Sequence, residues 1–240
     1  MQLKTVIFDL DDTLYTDWRT CDDAGTAAVA EYAQAAIGLS PEAAARAFRA
    51  GRRRAQEQLG PVGAAHDRAL FAQFGLEELG INPIAHCEAM HDAYWNRLLD
   101  TMVLEPALPA LLKDLRAAGV CIAVCTNMMA GVQMRKLIRL GLADSIDYMV
   151  TSEEAGMDKP NPAIVTYTLR KAGCAPAEAV FVGDTYGHDM VAAHGAGVRG
   201  LWLDRRGAGV PKGQPTPDWI DPSMHEAAAH LRALLTQEKG

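Results

Sequence analysis

A chain of 240 residues with 49% hydrophobic and 22% charged side chains has the balance of a folded globular protein, with enough apolar material for a core that needs neither disulfide nor structural metal. Its net charge of −7 argues against nonspecific binding to nucleic acid, whose phosphates attract positive surfaces. No apolar run reaches membrane-spanning length, the run after Met1 is too short for a signal peptide, and five cysteines without a CxxC spacing suit apolar fillers in a reducing, cytoplasmic setting.

In chain order, the first expected element is a strand over Thr5–Phe8. From Asp17 to Leu99 no strand signal appears; the stretch is rich in Ala, Arg, Glu, Gln and Leu, and Ser40-Pro41-Glu42 has the form of a helix start. A span of that length is too long for an unstructured loop, so an all-helical unit is expected there. Within it, Arg46, Arg49 and Arg53 fall on one helical face and read as a solvated face rather than a substrate contact. The Gly60–Gly63 loop is hinge-like, but His66 and Arg68 behind it are read as ordinary side chains in preference to groups that reach a site.

Beyond Leu99 the pattern alternates. A helix over Pro106–Ala118 precedes a strand over Val120–Cys125; a helix over Val132–Leu140 precedes a strand over Ile146–Thr151. A helix over Ala163–Ala172 precedes a strand over Ala179–Val182; a helix over Asp189–Ala196 precedes a strand over Gly200–Leu203. The strands are Val/Ile/Phe-rich without polar alternation, as when both faces of a sheet are buried. The tail after Asp204 carries Gly207, Gly209, Pro211, Gly213, Pro215 and Pro217 and reads as loop until a last helix near Met224–Leu235. The expected fold is therefore α/β: a Rossmann-like, doubly wound parallel sheet formed by residues 1–16 and 100–240, with helical residues 17–99 inserted after the first strand.

The chemistry gathers at the carboxyl ends of these strands. The first ends in Phe8-Asp9-Leu10-Asp11-Asp12-Thr13-Leu14, the second in Cys125-Thr126-Asn127 and the fourth in Gly183-Asp184-Thr185-Tyr186-Gly187-His188-Asp189, while Asp158-Lys159-Pro160-Asn161-Pro162 follows the third. In a parallel sheet these ends open on one crevice. Asp9 and Asp11 are two residues apart, so on an extended backbone they face the same side. Two close carboxylates favour a shared proton or a bound cation and suit one nucleophile with one general acid/base. Asp184 and Asp189 would make the pocket oxygen-rich, as Mg²⁺ requires. Thr126 can hydrogen-bond a transferring phosphoryl oxygen, and Lys159 can offset negative charge on nucleophile and phosphate. Taken singly, each motif also fits a cap, a turn or a solvated loop; what favours chemistry is that all four fall at the right strand ends.

This set resembles the four motifs of the haloacid dehalogenase superfamily: FDLDDTL with Asp9, Asp11 and Thr13, CTN with Thr126, DKPNP with Lys159, and GDTYGHD with Asp184 and Asp189. The match spans about residues 1–15 and 100–205, and the insertion after the first motif is similar to the family's helical-cap subgroup, nearest its branch of nucleotidases and acylneuraminate-9-phosphate phosphatases. The resemblance implies a Mg²⁺-dependent phosphatase of a small phosphorylated metabolite (nucleotide, sugar phosphate or phosphoglycolate-like). Asp9 would form an aspartyl-phosphate, and Asp11 would protonate the leaving oxygen and then activate water. Thr126 and Lys159 would be catalytic and, with Asn127, bind substrate. The metal set would be Asp9, the Asp11 carbonyl, Asp184 and Asp189, with Asp189 acting through water or by positioning Lys159. Dehalogenating relatives lack an Asp at the Asp11 position. The other readings are a phosphomutase, a phosphonate-cleaving enzyme, disfavoured because 17–99 contains no lysine for a Schiff base, and a non-catalytic binding protein, disfavoured by the intact motifs. The protein is expected to act as a monomer or homodimer, away from nucleic acid and membrane.

Overall fold

A computed structural model describes residues 3–237; residues 1, 2 and 238–240 of the expected core lie outside that span. The chain divides into two compact units, one of residues 17–102 and one of the remainder.

The larger unit is built on a six-stranded sheet. Its strands are β1 (Thr5–Phe8), β4 (Cys121–Thr126), β5 (Tyr148–Thr151), β6 (Ala179–Gly183), β7 (Arg199–Leu203) and β8 (Trp219–Asp221). They lie in the order β5-β4-β1-β6-β7-β8, and every pairing is parallel. The chain thus winds from β1 outward to one side and returns to the other, which puts the topological switch at β1. Residues of both parities along β1, β4 and β6 are buried, because helices cover both faces. On one face Ile7, Ala123, Val150 and Phe181 pack with Ile164 and Leu169 of α8 (Pro162–Ala172) and Ala192 of α9 (Val191–Gly195). Helix α5 (Leu108–Ala117) packs on β4, and α10 (Met224–Gln237) packs on α5 and β7.

The tail departs from expectation. It is not loop throughout: Trp219–Asp221 adds a sixth parallel strand, with Leu201 opposite Trp219 and Leu203 opposite Asp221. Two residues before the helical unit and two after it also pair, Tyr15–Thr16 (β2) with Val103–Leu104 (β3), antiparallel.

The helical unit contains α1 (Trp18–Ile37), α2 (Pro41–Leu59), α3 (Arg68–Glu78) and α4 (Cys87–Thr101). Helix α2 starts where the sequence signals it: the Ser40 hydroxyl accepts from the Ala43 N–H at 3.2 Å, and Pro41 occupies the first turn. Helices α2 and α3 cross on two glycines. A Cβ on Gly51 would lie 2.0 Å from the Phe71 carbonyl oxygen, and one on Gly75 would lie 2.4 Å from that of Ala47. Arg46, Arg49 and Arg53 are exposed. Arg68 is not an ordinary surface side chain. It is 2% exposed, its guanidinium lies 4.6 Å from the Trp95 ring centroid and 4.7 Å from that of Tyr94, and it donates to the Tyr94 hydroxyl and the His66 carbonyl. Tyr94 in turn donates to Asp22, so Arg68 is spent inside this unit.

Candidate active site

Strand register brings the motifs level. Phe8 is opposite Val124 on one side and Val182 on the other, so the next residues, Asp9, Cys125 and Gly183, lie level at the carboxyl end of the sheet. Asp9 still belongs to the ladder, its N–H donating to the Val182 carbonyl at 2.9 Å. Its side chain is buried at the carboxyl end of the sheet.

The loop before α8 delivers Lys159. Asn161 caps α8 by accepting from the Ala163 N–H at 3.0 Å, which ends the loop at a defined point. Asn127 fixes the loop from the other side: its Oδ1 accepts from the Lys159 N–H at 2.8 Å and its Nδ2 donates to the Lys159 carbonyl at 3.2 Å. Asn127 is thereby committed to the Lys159 backbone. The buried Lys159 ammonium donates to Asp9 Oδ1 at 2.6 Å, Asp189 Oδ1 at 2.7 Å and the Cys125 carbonyl at 3.0 Å. Burial alone would lower its pKa, but Asp189 and Asp9 outweigh that and hold it charged.

Asp189 arrives on an unexpected element. The helix foreseen over Asp189–Ala196 begins instead as a π-helical turn over Tyr186–Met190, a local winding frequent at functional sites. The turn swings the Asp189 carboxylate back under β6, where its Oδ2 accepts from the Thr185 N–H at 2.9 Å. Gly183 makes room: a Cβ there would lie 2.4 Å from Asp189 Oδ2.

Asp9, Asp184 and Asp189 each present a carboxylate oxygen within 4.8 Å of the others. Burial, against the pull of Lys159 and with help from Asp189 and Asp11, pushes Asp9 up to about 7. Burial, with Asp189 and Asp9 adding, pushes Asp184 up to about 8. Three crowded carboxylates with one ammonium leave a surplus of negative charge in a dry place. An all-oxygen donor set of that kind fits a hard divalent cation.

Asp11 is not part of that cluster. The extended-backbone argument fails for it because the chain turns immediately after Asp9: residues 11–14 form a turn, and the Leu14 N–H donates to the Leu10 carbonyl at 2.9 Å. The Asp11 carboxylate instead meets helix α6 (Ala130–Arg139). Its Oδ1 accepts from Lys136 Nζ at 2.6 Å and from the Tyr15 hydroxyl, and its Oδ2 accepts from Gln133 Nε2 at 3.1 Å. Burial would raise its pKa, but the Lys136 charge and the bonds from Lys136, Tyr15 and Gln133 outweigh it and hold Asp11 below the usual carboxylate range. Gln133 Nε2 also donates to Thr126 Oγ1 at 2.7 Å. Sequence reasoning missed Gln133, Lys136 and Tyr15. The only signal for Gln133 and Lys136 was two polar residues three apart on a helix that the apolar pattern had already used, and Tyr15 had none.

The haloacid dehalogenase-like hydrolase family model matches residues 3–197. The chain is 37% identical over 201 residues to the ribulose-1,5-bisphosphate 5-phosphatase of Halopiger xanaduensis, covering 83% of this chain and 84% of that protein. It is 29% identical over 237 residues to the glyceraldehyde 3-phosphate phosphatase of Methanothermobacter thermautotrophicus, covering 97% and 100%. Among solved structures, the 2-haloacid dehalogenase from Pseudomonas syringae pv. Tomato aligns with a TM-score of 0.78 at 25% identity, over 97% of this chain and 99% of that one. The matched span contains every motif residue placed above at the sheet's carboxyl end, and the chain belongs to the haloacid dehalogenase-like hydrolases.

Proposed function

We propose that the protein is a Mg²⁺-dependent phosphatase of small sugar phosphates that uses Asp9 as its nucleophile. The observation that carries this reading is the division of labour between two carboxylates two residues apart. Asp9 sits in the acidic cluster with Asp184 and Asp189, while Asp11 is turned out of it and held by Lys136, Gln133 and Tyr15. A solved structure with this fold is named a dehalogenase, but the Asp at position 11 belongs to the phosphatase pattern. Two relatives matched over more than four-fifths of their length are named as phosphatases of phosphorylated sugars, which supports that substrate class.

The residues divide the work as follows. Lys159 holds the Asp9 carboxylate in place and balances charge as phosphate approaches. An Asp9 oxygen bonds to phosphorus as the ester P–O bond breaks, and the leaving oxygen takes from Asp11 the proton that Asp11 acquired from water in the preceding turnover. Water then bonds to the same phosphorus, gives its proton to the Asp11 carboxylate, and the P–O bond to Asp9 breaks to release phosphate. Thr126 donates to a phosphoryl oxygen. Asp9, Asp184, the Asp11 carbonyl and Asp189, the last through water, would hold Mg²⁺, which when bound neutralises charge on the phosphoryl group. Asp189 also fixes Lys159.

A phosphate-release screen over triose, pentose and pentulose phosphates, 5′-nucleotides and phosphoglycolate tests this, with and without Mg²⁺. The expected result is hydrolysis of sugar phosphates that EDTA abolishes. Full activity in EDTA, or release from none of these esters, contradicts it.

A further inference from the structure

Helix α6 buries two polar side chains beside its apolar Val132 and Leu137. Lys136 and Gln133 are both 0% exposed, while Met134 and Ile138 on the same helix are 52% and 67% exposed. Burying an ammonium and an amide costs several kcal/mol unless both are fully engaged, and apolar side chains there would cost nothing. Violations of local patterning concentrate at functional sites.

What the two side chains engage is specific. The Gln133 amide nitrogen faces three oxygens: Thr126 Oγ1 at 2.7 Å, the Asn127 carbonyl at 2.9 Å and Asp11 Oδ2 at 3.1 Å. Two of these can only accept while Asp11 is ionised, so the amide can face them only through its N–H₂ side. Gln133 Oε1, also buried, has no hydrogen-bond partner among the described residues, so the N–H₂ side alone sets its orientation. Thr126 Oγ1 accepts from Gln133, and its own O–H donates to the Asn127 carbonyl at 3.2 Å. Lys136 supplies Asp11 with the charged half of its grip.

We propose that Gln133 and Lys136 are positioning residues for the reaction: together they fix the Asp11 carboxylate, and Gln133 also ties it to Thr126 at the end of β4. The inference rests on the reading of Asp9 as nucleophile and Asp11 as acid and base. If it holds, loosening Asp11 harms the water step most, because that step needs a base aimed at one oxygen.

The test is acid-quench kinetics with p-nitrophenyl phosphate and Mg²⁺ on wild type, Lys136→Met, Gln133→Glu and Asp11→Asn. Gln133→Glu keeps the shape and removes the donor, so it carries the test if Lys136→Met does not fold. The expected result for each positioning variant is steady-state turnover about a hundredfold lower, within the usual range for acid–base catalysis. KM should change little. One burst of nitrophenolate per enzyme should appear, with phosphate retained on the Asp9 peptide. A merely structural role would lower burst and steady state together and leave no phosphate behind. Wild-type turnover in both variants, or reduced turnover without phosphorylated Asp9 while Asp11→Asn does accumulate it, overturns the positioning role. Phosphate absent from Asp9 in all four proteins overturns the nucleophile assignment and this inference with it.

Discussion

At the scale of single residues, the site depends on close approaches that tolerate no extra atom. Gly183 is the clearest case, since a methyl there would fall 2.4 Å from Asp189 Oδ2 and 2.6 Å from Asp189 Cβ. Asp189 would have to move, and Lys159 would lose the partner that steadies it against Asp9. Gly183→Ala should therefore lower kcat about a hundredfold, the cost typical of misplacing a reacting group by an ångström, while circular dichroism shows a folded chain. Unchanged kcat would show that Asp189 does not govern Lys159. Asp9→Asn should cost at least about a thousandfold and leave no covalent phosphate. The convergence of Asp9, Lys159 and Asp184 was legible in the sequence because their motifs follow the strands in order, Asp9 and Asp184 just past β1 and β6 and Lys159 on the loop after β5. Lys136 was not: in a helix, a lysine is ordinarily solvent-facing, and only the tertiary fold shows that this one points at Asp11.

At the scale of elements, the five β-rich apolar runs of the core match strands of the sheet to within two residues. They were legible because both faces of a parallel sheet are buried and leave uninterrupted Val/Ile/Phe runs. Strand β8 was not. Trp219-Ile220-Asp221 is an edge strand, with Ile220 exposed and a Pro/Gly-rich approach, so it lacks that signature. The close crossing of α2 and α3 was hidden too, because a glycine in a helix looks like a weakness until the neighbouring backbone is placed against it. Its consequence is measurable. Gly51→Ala forces a Cβ to 2.0 Å from the Phe71 carbonyl oxygen and should destabilise the helical unit by about 3 kcal/mol, at the upper end for overpacking. Urea unfolding would show it; a change below about 0.5 kcal/mol would mean the crossing can relax freely.

At the scale of the whole molecule, the two compact units divide near Thr16 and Met102, where the sequence pattern had suggested residues 17–99 for the insertion. The unit that carries the sheet also carries the crowded carboxylates, so a divalent cation should stabilise it by binding the folded state alone. At a hundredfold excess over its dissociation constant, Mg²⁺ should contribute about 2.7 kcal/mol and raise Tm by roughly 5 to 10 °C. EDTA should reverse the shift, and Asp184→Asn, which gives up one of the clustered carboxylates, should lose most of it. Thermal melts insensitive to Mg²⁺ in the wild type would remove the cation from the account. No helix among the described residues is long and apolar enough to cross a membrane.

The central claim is that Asp9 and Asp11 share a strand end but act at different moments, one as nucleophile and one as acid and base. The most direct measurement is peptide mass mapping of Asp11→Asn after brief exposure to p-nitrophenyl phosphate and Mg²⁺, followed by acid quench. With a good leaving group, attack by Asp9 proceeds with little need of a proton, while hydrolysis stalls because water lacks its base. The account predicts one added phosphoryl group on the peptide containing Asp9, absent from Asp9→Asn. Phosphate on any other residue, or turnover by Asp9→Asn near that of the wild type, would contradict it.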